Sequence, residues 1–147
     1  MKIYLGADHA GFKLKNALIE HLAHLGYEVD DLGAKKLDED DDYPRYAYSV
    51  AVKIVGGDDD LGILICGSGQ GMSMAANRVS GVRAALAWDE QSAVSAKRDD
   101  NSNVLVLPAR FVSEENAFDI VDSWLKTNFS NEHKYQDRLD QMEQLYG

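Results

Sequence analysis

The chain has 147 residues, 45% of them hydrophobic and 27% charged, with 15 Lys and Arg against 25 Asp and Glu for a formal charge of -10. These values suit one soluble globular domain over residues 1–147 and argue against a nucleic-acid or anionic-membrane partner. A single cysteine excludes an internal disulfide and points to a reducing, cytoplasmic setting, and no apolar run approaches the ~20 residues of a membrane span.

The N-terminus enters a strand pattern directly, with no leader-like segment before it. Ile3-Tyr4-Leu5 predicts the first strand, ending in Gly6-Ala7-Asp8-His9-Ala10-Gly11. Leu14, Ala17, Leu18, His21, Leu22 and Leu25 then recur at helical spacing, closed by Gly26. Tyr27 to Leu32 predicts a second strand. The acidic run Asp38 to Asp42 lacks the glycine and distal glutamate of a calcium loop, and is expected to be a solvated surface turn. Pro44 suits the first turn of a helix whose apolar stripe is Ala47, Val50, Ala51, Ile54 and Val55, with Gly56-Gly57 as its end.

Leu61 to Asn77 is the stretch around which the rest is arranged. Ile63-Leu64-Ile65 reads as a strand buried on both faces. Gly67, Gly69 and Gly71 follow at alternate positions, then a helix start at Met72 to Ala76. Strand, glycine loop and helix N-terminus together form an anion-binding arrangement, because unpaired N–H groups point at one spot. The spacing is neither that of a P-loop nor that of a dinucleotide fingerprint, so a smaller ligand is indicated. Cys66 stands at the tip of the strand, where loop N–H groups favour a thiolate. Ser68 and Ser73 add two hydroxyls. A lone cysteine equally reads as a small buried apolar residue.

Val82 to Ala87 predicts a fourth strand, and Asp89 a cap for the helix Glu90 to Arg98. Val104 to Leu107 predicts a fifth strand, followed by Pro108-Ala109-Arg110. Ser113 caps a further helix with core face Ala117, Ile120, Val121, Trp124 and Leu125. The last segment, Glu132 to Tyr146, puts Tyr135, Leu139, Met142 and Tyr146 on one face and could complete this core or pack on a second copy. Strands alternating with helices give an α/β fold, a parallel Rossmann-like sheet covered on both faces. Ligands of such sheets bind beyond the carboxyl ends of the strands, where Asp8-His9, Cys66 with its loop, Trp88-Asp89 and Arg110 stand. Asp99-Asp100-Asn101 should lie at the opposite edge. His21, His24 and His133 are assigned to helix surfaces. With no Cys/His cluster at ligand spacing, neither a metal nor a cofactor is expected.

Several segments together resemble one family. G-A-D-H-A-G-F-K-L-K, D-Y-P at Asp42 to Pro44, I-C-G-S-G-Q-G-M-S-M-A-A-N, G-V-R-A-A-L at Gly81 to Leu86 and N-V-L-V-L-P-A-R at Asn103 to Arg110 are similar to the ribose-5-phosphate isomerase B group. That group also contains the subunits of galactose-6-phosphate isomerase. The resemblance implies a three-layer α/β/α sandwich with strand order 2-1-3-5-4. It also implies a homodimer or homotetramer with sites at the subunit interface, and metal-free interconversion of ribose and ribulose 5-phosphates. By position it makes Cys66 the general base; Ser68, two residues on, is placed to relay the proton or to hydrogen-bond a sugar hydroxyl. Gly67, Gly69, Gln70 and Gly71 would hold the enediolate, Asp8 and His9 would contact the sugar, and Tyr43 and Ser73 would add further substrate contacts. Arg110, Lys134 and Arg138 would engage the phosphate.

The chain departs from the family where His-Asn is usual, carrying Asp99-Asp100, and where Arg-His-x-x-Arg is usual, carrying Lys134-Tyr135-Gln136-Asp137-Arg138. Asp99, or Asp100 beside it, is therefore the expected ring-opening group in place of histidine. A non-catalytic sugar-phosphate or nucleotide-binding module that kept the anion loop is the competing reading.

Overall fold

The computed structural model describes residues 1–147. Its core is a five-stranded parallel sheet in the order β2-β1-β3-β5-β4, built from β1 (Ile3–Ala7), β2 (Val29–Asp31), β3 (Leu61–Cys66), β4 (Ala84–Leu86) and β5 (Val104–Pro108). The helices are α1 (Phe12–His24, entered through a 3-10 turn at His9–Gly11), α2 (Tyr43–Gly56), α3 (Gln70–Ala76), α4 (Glu90–Asp100), α5 (Glu114–Lys126) and α6 (His133–Tyr146). The α/β class and the expected strand order are both present. The two edge strands β2 and β4 are shorter than their apolar patterns suggest. Each has a neighbour on one side only, so ladder hydrogen bonds support fewer of its residues.

The period-2 alternation of strand side chains divides the core into two layers. Ile63 and Ile65 join Ile3, Leu5, Leu105 and Leu107 on the face covered by α1 and α5, around Leu18, Leu22, Ile120 and the fully buried Trp124. Leu64 and Cys66 point the other way, with Tyr4, Val104 and Val106, against Val50 and Ile54 of α2 and Met72 of α3. The direction of the Cys66 side chain is thus set by its place in the pleat. Helix entries follow the expected chemistry. Asp89 and Ser92 form a reciprocal capping box at α4, and Ser113 accepts from the Asn116 N–H at α5. His21 is tied down, not free on a surface: it pairs with Asp122 at 2.8 Å and stacks on Phe118, locking α1 to α5.

Lys15 of α1 is completely buried, its ammonium donating to Asp31 at 2.7 Å and to the Ala34 carbonyl at 3.1 Å. This ties α1 to β2 and to the loop that carries Asp41. Burial works against the Asp31 charge, but the Lys15 hydrogen bond and the Gly33 N–H outweigh it, and its pKa lies below the usual value. Such a carboxylate contributes stability above its unfolded pKa, and the contribution is lost as pH falls through the depressed folded value. Removing one partner of a buried pair costs about 3–5 kcal/mol. Lys15→Ala should fall near the lower end, since the Asp31 side chain keeps 19% exposure. Urea unfolding at pH 7 and pH 3 checks this: the gap between wild type and variant should narrow at pH 3.

Candidate active site

Three strands end together at the carboxyl edge of the sheet and deliver one group of side chains. β1 delivers Asp8 and His9, β3 delivers Cys66 and the loop Gly67 to Gly69, and β5 delivers Arg110. Backbone bonds hold the three ends in register. Ala109 N–H donates to the Cys66 carbonyl and Arg110 N–H to the Gly67 carbonyl, both at 2.9 Å.

Cys66 is almost wholly buried, 4% exposed, and its Sγ accepts the Gly69 N–H at 3.2 Å. Gly69 has φ +75°, a left-handed conformation open to glycine, and a Cβ there would run into Leu86. The turn therefore needs a glycine to aim this N–H at sulfur. Beyond it, the first-turn N–H groups of α3 lack intrahelical acceptors and face the same end of the sheet. Ser68 is half-buried, and its hydroxyl accepts only a long 3.4 Å contact from the Gln70 N–H. Gln70 is exposed and Ser73 half-buried in the first turn of α3. The Arg110 guanidinium lies over Gly67, where a Cβ would come within 2.7 Å of its Cζ, and the Tyr43 ring occupies the corresponding space at Gly71. Both glycines leave room for a neighbouring side chain to close over the loop.

Asp8 turns inward: 7% exposed, its Oδ1 accepts from the Ala10 and Gly11 N–H groups and caps the turn into α1. His9 is held by Asp41. The expectation that Asp38 to Asp42 forms a solvated turn is corrected here, because Asp41 is 7% exposed and points into the protein. One Asp41 oxygen accepts from His9 N–H at 2.8 Å and from His9 Nδ1 at 2.9 Å, and the other accepts from the Tyr46 hydroxyl at 3.0 Å. The hydrogen bond from Asp41 raises the His9 pKa above the usual imidazole value. For Asp41, burial opposes the charge, but its hydrogen bonds from His9 and Tyr46 carry its pKa below the usual carboxylate value. Sequence reading missed Asp41, since nothing distinguishes it from its neighbours in the acidic run.

Asp99, Asp100, Lys134 and Arg138 are not brought to this group in one copy of the chain. α4 runs back against the strand direction, so its last residues stand beside the start of β5, on the order of 13 Å down the strands from Cys66. They form a second cluster with α6. Asp99 is chelated by Arg98 at 2.8 and 3.2 Å and accepts from Ser95 at 3.1 Å; the Arg98 contact holds its pKa below the usual value. Burial, then the Asp99 charge, pushes Asp100 up, while Arg138 pulls it down. Lys134 and Arg138 both lie over the half-buried Tyr135 ring, at 4.7 and 5.5 Å. Asp100 also lines a cleft of about 450 Å³ with Arg83, Met142 and Tyr146, which does not include Cys66.

This fold coincides with that of known proteins. The family model described as Ribose/Galactose Isomerase matches residues 3–142. The chain belongs to the ribose/galactose isomerase family. Among family members, ribose-5-phosphate isomerase B of Mycobacterium tuberculosis is 42% identical over 140 residues, covering 95% of this chain and 86% of that one. The Escherichia coli enzyme of the same name is 42% identical over 139 residues, covering 95% and 92%. The crystal structure of ribose-5-phosphate isomerase B from Mycoplasma genitalium with bound ribulose-5-phosphate superposes with a TM-score of 0.94 at 45% identity, covering 97% and 94% of the two chains.

Proposed function

We propose that this chain is a single-domain sugar-phosphate isomerase that interconverts ribose 5-phosphate and ribulose 5-phosphate through an enediolate. The observation that carries the mechanism is the Cys66 sulfur, seated in the sheet edge with a loop N–H donating to it. As thiolate, Sγ takes the proton from C2 of the open-chain aldose and returns it to C1. The electron pair left on carbon passes into the C1 carbonyl to form the enediolate, and the proton exchanged between the two oxygens travels through Ser68. A positioned base is worth about 10²–10⁴ in rate. Loop and α3 N–H groups face the developing oxyanion, and each such donor contributes about 10²–10³. Support comes from the family relationship and from the ribulose-5-phosphate bound by the Mycoplasma genitalium protein.

The site is completed in this reading by a second copy. The Asp99, Asp100, Lys134 and Arg138 cluster of one subunit covers the Cys66 loop of the other, in a homodimer that can pair further into a tetramer. The exposed Met142, Leu145 and Tyr146 on α6 support such an interface. No helix is long and apolar enough to cross a membrane, and a reducing cytoplasm suits a reactive thiol.

A coupled assay across ribose, allose and galactose phosphates, with and without chelator, tests the proposal. Ribose 5-phosphate turnover unchanged by chelator is the expected result. Binding without turnover of any of them would leave a sugar-phosphate binder instead. A chelator-induced loss restored by a divalent ion would refute the metal-free mechanism.

Of the two candidates for ring opening, Asp100 suits the role better. Both Asp99 oxygens are engaged by Arg98 and Ser95, whereas Asp100 makes no ion pair, and burial and the Asp99 charge raise its pKa above the usual carboxylate value. Asp100→Asn should therefore slow turnover of ribose 5-phosphate, a ring in solution, by about tenfold or more while sparing ribulose 5-phosphate, which cannot close one. Asp99→Asn should have a smaller effect of the same kind, by removing the charge that raises Asp100. Equal, small changes in both directions would leave the pair as a helix-end turn with no part in ring opening.

A further inference from the structure

We propose that Asp41 is a positioning residue for the reaction: it fixes the His9 ring so that Nε2 meets the substrate phosphate as a charged donor. This rests on the isomerase reading for the identity of the substrate.

The geometry leads there in steps. The Asp41 side chain is fully buried, and one of its oxygens takes both the His9 backbone N–H and Nδ1. A carboxylate facing Nδ1 requires the proton to sit on Nδ1. Nε2 makes no hydrogen bond within the protein, and the His9 side chain keeps 36% exposure. With Nδ1–H committed, Nε2 carries a proton only when the ring is an imidazolium; the neutral ring offers a phosphate an acceptor, which repels it. Recognition of a phosphate by His9 thus depends on the charge that Asp41 stabilises. The Tyr46 hydroxyl, itself accepting from Arg45 at 2.7 Å, steadies the second Asp41 oxygen from α2. The charged or titratable groups acting on His9 are Asp8 from the end of β1 and Asp41 from the loop, with Tyr46 and Arg45 behind Asp41. All the carboxylates among them favour the cation. Arg110, without an ion-pair partner, lies over Gly67 on the β5 side of the same loop.

Asp41→Asn keeps the size and an accepting oxygen but removes the charge. For ribose 5-phosphate at pH 7.5 its KM should rise about tenfold, with kcat within threefold of wild type. The KM ratio of variant to wild type should fall toward one near pH 5.5, where the ring is charged in both proteins; taking the ratio cancels titration of the phosphate itself. NMR titration of the His9 ring, assigned with His9→Gln, should give a wild-type midpoint above ~6.5 and a lower one in the variant. A KM ratio independent of pH, a loss confined to kcat, or an unmoved His9 midpoint would overturn the proposal. Should Asp41→Asn fail to fold, a wild-type midpoint at or below ~6.5 overturns it alone. Should the wild-type chain turn over no sugar phosphate, the isomerase reading fails separately, and inorganic phosphate becomes the probe. Its binding should still weaken about tenfold in the variant at pH 7.5, and equal binding would count against Asp41.

Discussion

Cys66→Ala should lower kcat for ribose 5-phosphate by at least the ~10²–10⁴ that a positioned base provides, while the chain still binds the sugar phosphate. The thiol and the anion-binding groups are separate parts of one site. Sγ takes one N–H from Gly69, whereas the proposed mechanism assigns His9, Arg110 and the first turn of α3 to other parts of the substrate. The substitution also leaves the Gly69 N–H without its acceptor and a small void beside Leu64 and Met72, at a cost of about 1–3 kcal/mol. A thermal melt run beside the assay separates that cost from the chemistry. Cys66→Ser restores an acceptor at the same position but is a far poorer base near neutral pH. It should recover stability and little of the rate. Turnover of Cys66→Ala within threefold of wild type would remove Cys66 as the base.

Removing residues 128–147 is the second change expected to act strongly. α6 buries only Leu139 within its own subunit and meets the rest mainly at α4. The sheet, both core layers and the Cys66 loop lie outside the deleted segment, so the shortened chain should fold with little loss of secondary structure by circular dichroism. What it loses is the exposed apolar surface of Met142, Leu145 and Tyr146, together with Lys134 and Arg138. Sedimentation velocity should then show a monomer where the whole chain gives a dimer or larger assembly. Ribose 5-phosphate turnover should drop by about 10³ or more, because a lost ring-opening group and lost phosphate contacts compound. A shortened monomer as active as the whole chain would show that one copy suffices and that the α4–α6 cluster has no part in the site.

In the proposed mechanism, the segments Asp99-Asp100 and Lys134 to Arg138, where the resemblance to the family breaks, bear on rate and preference, not on fold. Lys134 keeps a positive charge but gives up the two-pronged geometry of a guanidinium. In that mechanism Asp99 and Asp100 bring negative charge to the shared site, and Arg98 and Arg138 act against it.

Sequence patterning alone determined a large part of this protein. Apolar runs three to six residues long, separated by amphipathic helices, dictate a parallel sheet with two covered faces, since only crossover connections of that length can join parallel strands. Glycines at 67, 69 and 71 after a buried strand mark the turn between β3 and α3, and the caps at Asp89 and Ser113 follow from local hydrogen-bonding chemistry. Such features are legible because they depend on residues within a few positions of one another. Tertiary structure alone decided the rest. Asp41 is one of five consecutive acidic residues, and only the fold of the loop after β2, tied down by the Lys15–Asp31 pair, turns it inward to His9 while Asp38, Glu39, Asp40 and Asp42 stay in water. The different surroundings of Asp99 and Asp100 likewise depend on Arg98, Ser95 and Arg138, contributed by two helices. Local pattern fixes backbone conformation, but the direction and charge of a polar side chain are set by partners brought from elsewhere in the chain.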